Sequence, residues 1–186
     1  MSESGFLLIY ASRDGHTRKI ARRLSDRLFT KGVEADLYDL SDEEPSPMSW
    51  AKAKTILLMA PVRYGYALPE MRAFIRENKA LIDSRTLILV NINLTARKAA
   101  KNKANTNPYI RKWIRKQGLS PALAAVFAGC LDYPRYGFFD KFMIRLIMRI
   151  TGGPHDGTSV IDYTDWAAVD AFADQIADEQ KARVAA

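Results

Sequence analysis

Phe6-Leu7-Leu8-Ile9-Tyr10 runs straight into Ala11-Ser12-Arg13-Asp14-Gly15-His16-Thr17, and the reading of these residues decides the fold. Five consecutive apolar residues mark a strand buried on both faces, the kind found in parallel sheets covered by helices. Beyond the polar loop, Ile20, Ala21, Leu24 and Leu28 recur at helical spacing. A strand, a tight loop and a helix in this order aim backbone N–H groups, hydroxyls and the positive end of the helix dipole at one spot, which suits a phosphate. The loop has a single glycine, so it matches neither G-x-G-x-x-G nor G-x-x-x-x-G-K-S/T, and the dinucleotide and nucleoside-triphosphate readings lose support. Its S-x-D-G-x-T pattern suits one terminal phosphate. The same residues also describe an ordinary βα turn with a Ser/Thr/Asp cap.

Outward from this stretch, Lys31-Gly32 ends the first helix and Val33 to Tyr38 alternates like a short strand. Asp42 to Pro47 is an acidic loop leading to a short turn of helix near Trp50, and Thr55 to Ala60 is a second continuous apolar run, stopped by Pro61. Pro69 opens a helix with Met71, Phe74, Ile75 and Leu81 on one stripe. Thr86 to Val90 is a further buried strand, Pro108 to Lys116 a basic helix, and Ala122 to Leu131 the fifth strand. Strands alternating with helices predict one α/β domain over residues 1–186, a doubly wound five-stranded parallel sheet of flavodoxin-like order 2-1-3-4-5. Its ligand is expected beyond the carboxyl ends of strands one and three.

Three loops then matter: Ser12, Arg13, Asp14, Gly15, His16 and Thr17; Pro61, Val62, Arg63, Tyr64, Gly65 and Tyr66; and Asn91 to Arg97, with Asn93, Leu94, Thr95 and Ala96 between. Gly65 lets backbone approach a flat ligand, Tyr64 and Tyr66 suit an isoalloxazine ring, and Arg63 suits an anionic reduced flavin. Together with the single-phosphate loop, these predict non-covalent FMN. Asp132 and Tyr133, just past strand five, complete the expected cofactor site.

The 186 residues are enough for a sheet covered on both faces. Cys130 is the one cysteine, which excludes a disulfide framework and a C-x-x-C site and points to a reducing compartment; it reads as buried strand filler. No basic leader and no apolar stretch of about 20 residues is present, so export and a membrane span are not expected. Ser84 to Ile150 holds 13 Lys/Arg against Asp132 and Asp140, a balance of +11 that leaves −4 for the remainder of a chain at +7. That segment suits a polycarboxylate, an acidic lipid surface or nucleic acid, or is a solvated basic face. With only His16 and His155, no His-based metal site and no Ser/His/Asp or Cys/His constellation is expected, and no acid–base role falls to His16.

A minimal fold of this class needs one connection and one helix after strand five, yet the chain first spends residues 132–163. Phe138 to Ile150 reads as a helix with Phe138, Phe139, Phe142, Met143, Leu146, Ile147 and Ile150 on a broad apolar face and Lys141, Arg145 and Arg149 every four residues. At about 20 Å it is too short to cross a bilayer. It packs on the sheet or lies in an acidic membrane surface. Val160 to Tyr163 reads as a short returning strand, and Asp165 caps a last helix to Ala182, with a disordered tail over about 180–186.

Tyr133-Pro134-Arg135-Tyr136 and Asp140 to Met148 carry the most specific likeness, supported by Ser12 to Arg18, Arg63-Tyr64-Gly65, Val90 to Lys98 and Tyr163-Thr164-Asp165-Trp166. On these the chain, from Leu7 to Ile176, resembles the menaquinone-dependent protoporphyrinogen IX dehydrogenases of gammaproteobacterial type, long-chain flavodoxin relatives in haem biosynthesis. The resemblance implies FMN, oxidation of protoporphyrinogen IX to protoporphyrin IX, electrons passed to a membrane quinone (menaquinone or ubiquinone), and a peripheral place on the cytoplasmic face of the inner membrane. Hydride transfer to flavin N5, with water or a nearby base taking the proton, is the expected chemistry. Arg97, Lys98 and Arg135 are candidates to hold propionates or the flavin's anionic edge, Tyr64 and Tyr133 to stack, and Tyr64, Arg97 and Arg135 to assist the reaction. The rival readings are a flavodoxin-type electron carrier, disfavoured by the basic flavin-side segments, and a quinone reductase fed by NAD(P)H. Nucleic-acid binding would explain the charge but not the sheet-end loops.

Overall fold

The computed structural model describes residues 5–150 and 152–185. Strand β1 (Phe6–Tyr10) lies between β2 (Asp36–Asp39) and β3 (Thr55–Arg63), β5 (Thr86–Ile92) follows β3, and β6 (Leu123–Phe127) forms the far edge. All four pairings are parallel, so the order is β2-β1-β3-β5-β6. β4 (Tyr66–Ala67) turns back on the end of β3 as a short antiparallel hairpin. Its two-residue turn, Tyr64 at φ 50 and Gly65 at φ 80, has the positive angles that match hairpin twist.

Side-chain alternation along the buried strands splits the core into two layers. Leu7, Ile9, Ile56 and Leu58 pack with Trp50 of α2 (Pro47–Lys52), Met71 and Phe74 of α3 (Pro69–Glu77), Ile82 of α4 (Lys79–Asp83), and Ile110 and Trp113 of α5 (Pro108–Gln117). Leu8, Tyr10, Leu57 and Met59 pack on the other face with Ile20, Leu24 and Leu28 of α1 (His16–Thr30) and Val169, Phe172 and Ile176 of α7 (Trp166–Ala185). Arg23 and Arg27 tie α1 to α7 through paired bonds to Asp170 and Asp174.

The apolar run read as one fifth strand is broken. β6 ends at Phe127, and β7 (Cys130–Asp132) leaves the sheet to pair antiparallel with β8 (Val160–Asp162). Gly129 sits at the break, where an added Cβ would lie 3.2 Å from Ile92 Cγ2, a tight approach that the Ile92 side chain would have to yield to by a few tenths of an ångström. Cys130 therefore opens β7, half-buried beyond the end of the main sheet, rather than being buried filler in the fifth strand. β7, β8 and helix α6 (Phe138–Ile150) close over a small third core of Leu131, Tyr133 and Met148. Asp165 caps α7 through Ala168 N–H at 3.0 Å, and α7 continues to Ala185, so residues 180–185 are helical where a disordered tail was expected; Ala186 lies outside the described residues.

Candidate functional site

A cavity of about 420 Å³ opens at the carboxyl ends of β1, β3 and β5. Arg13, Asp14, His16 and Thr17 wall one side, Pro61 to Gly65 a second, and Asn93, Leu94 and Thr95 a third. Helix α6 forms the opposite wall with Asp140, Met143, Ile144 and Ile147, the i, i+3, i+4, i+7 row of one helical face.

The loop after β1 behaves as an anion cradle. Gly15 takes φ 82 at the start of α1, and no side chain caps that helix, so its first N–H groups face outward. Ser12 Oγ is buried with no hydrogen-bond partner among the described residues. A buried, unpaired hydroxyl costs about 1–3 kcal/mol unless something binds there. Ser12 and Gly15 line a second depression beside the cavity, together with Arg18 and Arg135, and Arg135 Nη1 donates to Asp14 O at 2.7 Å. Thr17 is buried and His16 half-buried; His16 Nε2 lies 2.7 Å from Thr164 Oγ1 and 3.6 Å from Asp162. Burial lowers the His16 pKa against the opposing pull of Asp162, favouring neutral imidazole.

Arg63 bridges the cavity mouth. Its guanidinium bonds Asp14 on the loop and pairs with Asp140 of α6 at 3.1 Å, while its Cζ stands 5.3 Å from the Tyr136 ring centroid. The Tyr64 hydroxyl also bonds Asp140, chiefly through which its pKa rises. Helix α6 is thus tied at its first turn to the β3–β4 turn.

Several expected site residues lie elsewhere. Tyr133 is fully buried in the third core with its hydroxyl on Pro154 O at 2.8 Å, so it is not placed to stack on a ligand in the cavity. Asp132 pairs with Arg135 at 3.2 Å and does not line the cavity. Arg97 folds over the Tyr163 ring, with Nη1 on Leu94 O at 2.8 Å, also off the wall. Asn91 and Ala96 are buried behind the third loop, Asn91 accepting from Asn93 Nδ2 at 2.8 Å and Ala96 N–H capped by Asn93 Oδ1. Asn107 closes this network, bonding Lys101 O and receiving Tyr109 N–H. Lys98 is exposed and lines no part of the cavity.

The lining also includes Ile92, within the third expected loop, and Tyr109, Gly129, Cys130, Tyr136, Asp140 and Ile144, none of which was singled out for the site. A signal existed for Asp140, an acidic residue in the first turn of a basic helix, and for Tyr136 within the specific Tyr-Pro-Arg-Tyr run. Tyr109 had none, because its place depends on how α5 meets β4.

A family model described as "Flavodoxin domain" matches residues 7–158. The chain is 41% identical over 175 residues, 92% of this chain and 74% of the other, to protoporphyrinogen IX dehydrogenase (quinone) of Leishmania major. It is 37% identical over 172 residues, 92% of this chain and 93% of the other, to the protein of the same name in Escherichia coli strain K12. Among solved structures it is similar to rubredoxin oxygen:oxidoreductase from Desulfovibrio gigas, with TM-score 0.59 at 16% identity over 97% of this chain and 37% of that one, a likeness of fold alone.

Proposed function

The chain belongs to the flavodoxin-domain family, alongside the quinone-dependent protoporphyrinogen IX dehydrogenases, and from that premise we propose that it oxidises protoporphyrinogen IX to protoporphyrin IX with FMN and passes the electrons to a quinone in haem biosynthesis. The observation that carries this reading is the shared cavity: flavin-type loops on three sides and, on the fourth, a helix from the segment that a simple carrier of this fold does not need.

FMN fits the residues present. The unpartnered Ser12 hydroxyl, the Gly15 turn and the uncapped start of α1 suit its phosphate, with Thr17 alongside. Pro61 to Gly65, Asn93 to Thr95 and Tyr136 border the space for its ring. Bound there, FMN supplies the two-electron acceptor for each step of porphyrinogen aromatisation and the donor to quinone. The chain's own part is binding and exclusion. Ile92, Met143, Ile144 and Ile147 keep the reacting face apolar, and Arg63 ties the loop after β1 to α6 at the rim through Asp14 and Asp140.

Quinones are lipid-soluble, so the acceptor is met at a membrane. No helix among the described residues is long and apolar enough to cross one. Helix α6 turns one face to the cavity yet leaves Phe138 at 85% and Phe139 at 79% exposure, with Phe142 and Ile150 also exposed, among Lys141, Arg145 and Arg149. These features support peripheral docking on an anionic surface, the cytoplasmic face of the inner membrane.

The test is anaerobic: flavin absorbance of the FMN-loaded protein should bleach with protoporphyrinogen IX and return when a quinone is added. No bleaching would refute the reaction, and faster bleaching with NAD(P)H than with porphyrinogen would assign a nicotinamide-fed quinone reductase instead.

A further inference from the structure

Protoporphyrinogen IX carries propionates, and neither Arg97 nor Lys98 stands on the cavity wall, while Arg135 is engaged at the phosphate loop. Cations do stand at the opposite rim. We propose that Arg72 and Lys112 form a carboxylate subsite beside the exposed Tyr66 ring and bind a propionate of the tetrapyrrole, a placement that rests on the porphyrinogen reading above.

A groove of about 370 Å³ continues the cavity outward, sharing Arg13, Arg63, Tyr64 and Asp140 with it and ending at Tyr66, Leu68 and Arg72. Lys112 Nζ lies 3.5 Å from the Tyr66 ring centroid and Arg72 Cζ lies 5.6 Å from it, so two cations flank one ring. Lys112 Nζ is also 3.7 Å from where a Gly65 Cβ would stand, at the turn that borders the main cavity. Neither cation has a carboxylate partner among the described residues. Arg72 commits Nε to Ala67 O at 3.1 Å, which orients its terminal nitrogens without neutralising them. The Asp140 carboxylate lines the groove too, but its oxygens are engaged by Arg63 and Tyr64.

Cations held against an aromatic face keep their charge while losing freedom, so an incoming carboxylate meets donors already oriented. A substrate whose macrocycle enters the cavity extends its acidic arms past the rim, where these donors stand. A lipid phosphate would satisfy the same donors, and the experiment separates the two sources.

FMN-loaded full-length protein is compared as wild type, Arg72→Gln, Lys112→Gln, the double variant and Lys112→Arg. Binding of protoporphyrin IX and of its dimethyl ester is measured by fluorescence in detergent, together with KM for protoporphyrinogen IX and sedimentation with anionic vesicles. Each Gln variant should weaken free-acid binding about tenfold, as expected for one charge-assisted hydrogen bond, and the pair by more. Ester binding should be unchanged, KM should rise by a larger factor than kcat falls, and Lys112→Arg should restore most of the affinity. Equal losses for acid and ester, or no loss for either, would overturn the subsite. Loss of vesicle binding with porphyrin affinity intact would overturn it in favour of a lipid phosphate. Acid-selective binding losses in a protein that oxidises no porphyrinogen would leave the subsite standing and remove the proposed reaction.

Discussion

Replacing Ser12 by Ala should move the stability of the apoprotein and its affinity for FMN in opposite directions. In the apoprotein, Ser12 Oγ is buried without a hydrogen-bond partner among the described residues. Deleting a buried, unsatisfied hydroxyl recovers about 1 kcal/mol, which for a chain of this size raises Tm by about 2–4 °C. With FMN bound, that hydroxyl would meet a charged phosphate oxygen, a bond worth about 1.5–3 kcal/mol, so its loss should weaken FMN about 10- to 100-fold. Riboflavin lacks the phosphate and should bind Ser12→Ala as it binds wild type. The assays are thermal melts of the apoprotein and fluorescence titrations with FMN and riboflavin in parallel. A lower apoprotein Tm, or equal weakening of the two flavins, would refute the assignment of the loop to the phosphate.

Tyr133→Phe should lower Tm by about 2–4 °C through the lost bond to Pro154 O and leave FMN affinity unaltered; a tenfold flavin loss in titration would return this ring to the cavity. Phe138→Ser with Phe139→Ser should shift Tm by less than about 1 °C, because both rings are exposed, yet cut partition onto anionic vesicles at least about tenfold; unchanged co-sedimentation would sink the docking of α6. Asp140→Asn breaks the ion pair that holds the first turn of α6 to Arg63, and tryptic cleavage after Lys141 or Arg145 should quicken about two- to fivefold after allowing for solvent screening. The bond from Arg27 holds the Asp174 carboxyl at about 2, below its ordinary 3.8. A folded pKa depressed in this way contributes stability in full above about pH 4 and loses it as pH falls towards 2. Arg27→Met should therefore flatten the fall of the urea midpoint across that window; an unchanged slope would contradict the link.

Much of the fold was legible because its deciding strands are buried on both faces. β1, β3 from Thr55 to Ala60 and β5 from Thr86 to Val90 read as continuous apolar runs, while α6 is bounded by Gly137 and, at its far end, by the Gly152-Gly153 pair. The end of the fifth strand was not legible. Ala128 and Gly129 prolong the apolar run, and only the antiparallel pairing of β7 with β8 reveals that the chain leaves the sheet there. Two aromatic residues, Tyr133 and Tyr136, sit three apart in one motif, yet one fills a core and the other lines the cavity. Arg97 had the right charge in the right loop, but the Tyr163 ring, 66 residues later, holds its guanidinium away from the cavity.

What the sequence by itself determined is local: the βα unit, the phosphate-type loop and the two-faced helix, because apolar period, turn residues and capping act between near neighbours. Which side chains share the cavity was decided by tertiary structure alone. Arg13, Arg63, Tyr109 and Asp140 come from four distant segments and meet only through strand order and the packing of α5 and α6. Periodicity states that a helix has an apolar face. The partner of that face is set by what lies opposite, and for α6 one face covers the cavity while another stays exposed.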